Sequence, residues 1–152
     1  MWKRTIVSAF ISGRNCNRSA AEYLQFARGL LDAKCPKIIF VDEQTASNLG
    51  FWGKPVQCKI IVVDPNKFYL TSATGATGAT QNFFMVNGNK EKDTLEYLIL
   101  MCNKTEFMRE VVATNPFGTE GFVWVDFGMK HVCPDISDAE YSQLIETLAS
   151  KP

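Results

Sequence analysis

A chain of 152 residues suits one domain, spanning 1–152, with a buried core of useful size. Sixteen basic side chains balance sixteen acidic ones, so no overall field draws in nucleic acid or an anionic membrane surface. No apolar run approaches the ~18 residues of a membrane span, and five scattered cysteines without a C-x-x-C pair fit buried, reduced thiols in a cytoplasmic protein.

In chain order, TIVSAFI (residues 5–11) predicts a first strand. Lys3 and Arg4 precede it, but no cleavage site follows, so it does not read as a signal peptide. A polar turn leads to Ser19-Ala-Ala-Glu22, a capping box whose two side chains reciprocally satisfy free amides at a helix start. Tyr23, Leu24, Phe26, Ala27, Leu30 and Leu31 then recur at helical spacing until Pro36. Residues 37–41 predict strand two, followed by Asp42, Glu43 and a short segment over 45–51. Residues 59–63 predict strand three, ended by Asp64 and Pro65. The segment 71–82 (TSATGATGATQN) has no side chain large enough to pack and predicts a surface loop. It lacks the Gly-Lys-Ser/Thr of a P-loop and the G-x-G-x-x-G of a dinucleotide fold. A short strand over 83–86 and a turn at 87–89 come next. Asp93-Thr-Leu-Glu96 predicts a second cap, opening a helix buried around most of its circumference. Asn103 is either a break or a continuation, and Asn115-Pro116 stops the helix. Residues 122–125 predict the last core strand, and Ser137-Asp-Ala-Glu140 caps a final helix.

The runs KIIFVD, KIIVVD and FVWVDFG share one grammar, a near-continuous apolar stretch closed by an acid. Such runs suit strands buried on both faces, as in a parallel sheet covered by helices. With strands and helices alternating, the expected fold is a three-layer α/β/α sandwich with a mainly parallel sheet. Asp42, Asp64 and Asp126 then stand near the carboxyl ends of their strands, the edge where open α/β sheets bind ligands.

Each candidate has a structural alternative. Asp126 either holds a hard divalent cation, which in turn neutralises a diphosphate, or caps the next segment. Gly128 would let backbone approach a ligand closely. The Asp-Phe-Gly tripeptide resembles the kinase motif, yet the glycine-rich loop and His-Arg-Asp of kinases are missing. His131, the only histidine, stands five residues past Asp126 and two before Cys133. It is either a structural histidine, a second metal ligand with Asp126, or the partner of a reactive Cys133 thiol. Asp42 and Glu43 either accept hydrogen bonds from a ribose or base, or are solvated loop acids. Arg14, Arg18 and Lys104 either meet phosphates or serve as solubilising charges. Trp124 either packs in the core or stacks on a base or sugar, and Phe51-Trp52 is the pair expected to be exposed.

The stretch NPFGTEGFVWVDFGMKH resembles the signature of the HtrL/YibB family. Asn115, Pro116, Phe117, Thr119, Phe122, Trp124, Asp126, Phe127, Gly128 and His131 stand in the matching places, with Val125 for an isoleucine. TIVSAFI and FVDEQ resemble the family's first strand and second-strand end, so the likeness covers most of residues 4–131. It implies a Rossmann-like, GT-A-type nucleotide-diphospho-sugar transferase fold, with Mn2+ or Mg2+ on the donor's diphosphate. By that resemblance Asp126 is the metal-linked acid, Asp42 lies where base or ribose contacts occur, and the acceptor is a glycan or lipid-linked sugar. Gly128 stands where an Asp-x-Asp motif would carry its second acid, and the chain stops soon after the signature. The two functional expectations are therefore a glycosyltransferase-like binder of a nucleotide-diphospho-sugar and a non-catalytic interaction domain that keeps the fold.

Overall fold

Alternation within each apolar run decides which way its side chains point. Ile6, Phe10, Ile39 and Val41 face one side of the sheet, and Val7, Ile38 and Phe40 face the other. The computed structural model describes residues 1–12, 18–50, 53, 55–77, 88 and 94–152, with backbone alone at 74–77. Its strands are β1 (Arg4–Phe10), β2 (Lys37–Val41), β3 (Cys58–Val62) and β4 (Gly121–Trp124). They form a sheet of order β3-β2-β1-β4, and every pairing among them is parallel. The helices are α1 (Ala20–Phe26), α2 (Arg28–Asp32), α3 (Glu43–Gly50), α4 (Tyr69–Thr77), α5 (Leu95–Thr114) and α6 (Asp138–Ser150). Leu24, Leu30, Leu31, Leu49, Tyr141 and Ile145 cover the first face, and Phe68, Ile99, Phe107 and Val111 the second. The architecture is an α/β fold in three layers.

Both capping boxes form. Ser19 and Glu22 cap α1, and Ser137 and Glu140 cap α6, with each glutamate accepting from its serine's backbone amide at 2.7 Å. Such caps contribute about 1 kcal/mol apiece. The first helical segment is split at Ala27, whose amide reaches Tyr23 and Gln25 carbonyls. Gly29 in α2 lies so close to α6 that a Cβ there would stand 2.7 Å from the Asp138 carbonyl and 2.9 Å from Tyr141 Cδ1.

Four expectations change. The Thr-Gly-Ala segment, expected as a loop, continues α4 as far as Thr77. Buried Phe68 anchors its start, the Thr71 hydroxyl donates to the Pro65 carbonyl at 3.0 Å, and the alanines favour a helix once it has begun. The long helix α5 passes through Asn103 unbroken and opens on Thr94, whose hydroxyl accepts from the Tyr97 amide. It buries a single stripe of Ile99, Asn103, Phe107 and Val111, leaving Val112 exposed, so it covers the sheet on one side only. Of the cysteines, Cys35 is buried and Cys58 half-buried, but Cys102 and Cys133 are exposed. The strand expected over 83–86, Asn87 and Asn89 of the expected turn, Phe51-Trp52, Cys16 and Arg14 lie outside the described residues.

Lys37 opens β2 with its side chain fully buried. Its ammonium donates to the carbonyls of Ala33, Cys35 (3.2 Å) and Val56 (2.9 Å), so it closes the carboxyl end of α2 and ties in the approach to β3. At the same amino edge of the sheet, the Lys3 amide donates to the Ala149 carbonyl at 2.9 Å and Arg4 reaches the Pro152 carbonyl. The first strand and the last helix are thereby stitched together.

Candidate functional site

Chain connectivity selects the site. From β1 the sheet grows outward to β2 and β3, and then the chain returns to add β4 on the other side of β1. The strand order reverses at β1, so the carboxyl ends of β1 and β4 lie side by side at the switch point, the place where open α/β sheets bind ligands. A cavity of about 300 Å³ lies there, lined by the ends of both strands, the start of α1 and one flank of α5.

The turn before β4 aims the strand. Asn115 ends α5 in the left-handed conformation (φ 33°), and its side chain brackets Thr119, donating to the carbonyl at 3.0 Å and accepting from the amide at 3.1 Å. Thr119 in turn shares a buried 2.6 Å hydroxyl contact with Thr5 of β1. The start of the signature block, Asn115 to Thr119, is therefore scaffolding, whereas Trp124, Asp126, Phe127, Gly128, Met129 and His131 line the cavity.

Asp126 stands at the rim with its side chain 53% exposed. One oxygen, Oδ1, accepts from Lys104 Nζ at 2.6 Å and from Trp124 Nε1 at 2.7 Å. Among the described residues nothing donates to Oδ2. Partial burial raises the Asp126 pKa, but the Lys104 and Trp124 hydrogen bonds, with the Lys104 and His131 charges, outweigh it and hold the carboxyl below the usual range. Lys104, 25% exposed, also sits 5.3 Å from the centroid of the Trp124 ring. That ring lies parallel to Phe107 at 6.4 Å. Trp124 thus packs against the core on one side and holds the ion pair on the other.

His131 lies in a 3₁₀ turn (Met129–Val132), where residues two apart do not share a face. This removes the geometric premise for pairing it with Cys133. Its Nδ1 is 2.6 Å from the Gly128 carbonyl, which only accepts, so Nδ1 carries the proton and Nε2 is the ring's remaining polar atom. The Phe26 ring packs between two basic groups, with its centroid 5.9 Å from His131 and 5.6 Å from the Arg18 guanidinium. Arg18, Lys104 and His131 all line the cavity, and Asp126 is its one acid among the described residues. Gly128 has a packing reason: a Cβ there would lie 2.7 Å from Tyr23 Cε1.

Asp42 shares the carboxyl rim but lies two strands away from Asp126 and is absent from the cavity lining. Its Oδ2 accepts from the Ser12 amide at 3.1 Å and from the Ser12 hydroxyl, and Oδ1 from the Thr45 amide at 2.9 Å. Burial raises its pKa, but these bonds prevail and lower it. It caps α3 and fastens the end of β1. Asp64 caps the Pro65–Lys67 turn through the Asn66 amide at 3.0 Å. Sequence reasoning missed Tyr23, Tyr97, Met101 and Met129 as lining residues. The first three lie at helical spacing that reads as core, Met129 carries no local signal, and only the strand order reveals that this core has an open end.

Among the described residues the donor set does not fit a protein-held Mn2+ or Mg2+. No three His, Cys, Asp or Glu side chains among those residues converge on one point, and the one carboxylate that they bring to the cavity already has an ammonium on Oδ1.

The profile of the HtrL_YibB family, described as bacterial protein of unknown function, matches residues 3–146. The chain belongs to the HtrL_YibB family. No curated protein and no solved structure matches it. The matched region of this HtrL_YibB chain includes every strand, the crevice and most of α6. No helix among the described residues is long and apolar enough to cross a membrane.

Proposed function

We propose that this HtrL_YibB chain binds a nucleotide-diphospho-sugar in the crevice between β1 and β4, as a glycosyltransferase-like protein. The observation that carries the reading is the composition of that cavity. Basic groups from three separate segments, Arg18, Lys104 and His131, meet aromatic side chains from Tyr23, Tyr97 and Trp124 at a topological switch point. Cations suit a diphosphate and flat rings suit a base or sugar face. The volume of about 300 Å³ is at the lower limit for small-molecule sites, enough for part of such a ligand. The Gly128 position, which carries no second acid, places the weight of recognition on these groups.

The test is calorimetric titration of UDP, GDP and their sugar conjugates into the folded protein, with arms containing Mn2+, Mg2+ or neither. Saturable heat that is lost when Arg18 and Lys104 are both replaced by Ala is the expected result. Absence of heat for every nucleotide in every arm, with near-UV circular dichroism still native, removes the proposal.

A second reading is a binder without turnover. It is favoured by one observation: Asp126, the cavity's one acid among the described residues, is ion-paired with Lys104 and poorly placed to act as a base. Hydrolysis or transfer from a sugar nucleotide that disappears in Asp126→Asn would eliminate it.

A further inference from the structure

A nucleotide-sugar site of this kind needs positive charge against the diphosphate, and the cavity's own chemistry says where it comes from. Resting on the ligand class proposed above, we infer that Lys104 supplies that charge, so that binding proceeds without a divalent cation and Asp126 acts as the positioning residue for the lysine.

Three observations converge. First, Lys104 Nζ lies 2.6 Å from Asp126 Oδ1, so a cation taking the remaining oxygen, Oδ2, would stand beside an ammonium. A divalent ion next to that ammonium meets like-charge repulsion that bulk water does not screen in a half-buried pocket. Second, the ammonium is held from two directions, by the carboxylate and by the Trp124 ring face 5.3 Å away. An ammonium has three N–H groups; one is directed at Asp126, and among the described residues no acceptor is bonded to the other two. They are held in place for phosphate oxygens. Third, the surplus charge is positive. The Asp126 charge is matched by Lys104, and among the described residues no carboxylate lies within ion-pair distance of Arg18 on the same cavity wall. A bound diphosphate would thus meet one lysine fixed by Asp126 and one arginine whose neighbouring acid, Glu22, is engaged in the α1 cap and makes no direct ion pair with it.

In this chain the two residues after Asp126 are both taken up by packing. Phe127 stacks on Phe10 at 5.2 Å, and Gly128 leaves room for Tyr23. Neither position is arranged to complete a metal site.

Calorimetry of UDP and GDP against the wild-type chain in EDTA and again in excess Mn2+ separates the outcomes. Affinity equal within about twofold in the two conditions is expected. Lys104→Met should weaken binding in EDTA roughly 10- to 100-fold, the worth of one charge-assisted hydrogen bond, and Lys104→Arg should recover most of it. Removing the ammonium also unmasks the carboxylate, so Lys104→Met should acquire a Mn2+-dependent component that the wild type lacks. Binding seen only with Mn2+ overturns this inference and leaves the nucleotide reading standing. So does undiminished affinity of Lys104→Met in EDTA. Silence of both nucleotides in both conditions brings down the ligand reading itself and this inference with it.

Discussion

Replacing Lys37 with methionine tests how a buried charge is held in this fold. The side chain is fully buried, and its ammonium is the partner of three carbonyls, two of them (Ala33 and Cys35) buried. Methionine fills nearly the same volume but donates nothing. Each buried carbonyl left unpaired costs about 1–3 kcal/mol, so two cost about 2–6 kcal/mol. Part of this is returned, because the variant no longer desolvates an ammonium. A net loss of about 3 kcal/mol is expected, which at about 2–4 °C per kcal/mol for a chain of this size lowers Tm by roughly 6–12 °C. Burial lowers the Lys37 pKa from its model-peptide value of 10.5 and is the largest of several influences, the others being the Cys58 and Cys35 thiols and the Glu146 and Asp32 carboxyls, which raise it. The unfolded chain therefore keeps this proton to higher pH than the folded one. In the window below 10.5 the wild type gains stability with rising pH, and the gap to the variant widens. Urea unfolding followed by tryptophan fluorescence at neutral and alkaline pH reads both effects. A variant as stable as wild type, or more so, would show that desolvation of the ammonium cancels its three hydrogen bonds and would refute the reasoning.

Gly29→Ala drives a methyl into the Asp138 carbonyl and the Tyr141 ring, and should cost about 1–3 kcal/mol in thermal or denaturant melts; an unchanged midpoint would mean that α2 and α6 slide apart freely. Asp42 has a depressed pKa, so its contribution is complete above the unfolded value of 3.8 and disappears as pH falls through its lower folded value. Asp42→Asn should be less stable at neutral pH and should flatten the acid limb of the stability curve; an acid limb identical to wild type counts against the Ser12–Asp42–Thr45 linkage. Trp124→Phe keeps the ring against Phe107 and removes the donor to Asp126. The Asp126 carboxyl should then titrate at higher pH by carbon-13 NMR, and an unmoved titration would show that the indole N–H does not stabilise the carboxylate.

The sheet was legible because its strands are read by composition. KIIFV and KIIVV carry branched side chains at nearly every position, which reads as strand, but burial on both faces holds for β2 and not for β3, whose edge position leaves Lys59 and Val62 exposed. Helix starts were legible where a reciprocal cap is written in the chain, at Ser19 and Ser137. What lay beyond reach depended on which strand sits next to which. Lys37 reads as an ordinary polar strand end, since nothing local shows that three carbonyls from distant turns surround it. The role of Asp126 was read by position but not by partner, because Lys104 is 22 residues away on a helix that packs across the strand end. Gly128 looked like room for a ligand, and only the packed Tyr23 ring shows that the space is already taken. The Thr-Gly-Ala stretch misled through its lack of bulk; its helix is imposed from upstream by Phe68 and Pro65.

The stitching of Lys3 to Ala149 has a practical corollary. Strands of a parallel sheet all enter from one rim and leave by the other, so a tether, a label or additional polypeptide joined at residue 1 or residue 152 emerges at the rim remote from the crevice. Immobilised through either extremity, the molecule keeps its recess turned toward solution, and both orientations on a sensor surface should report the same ligand response.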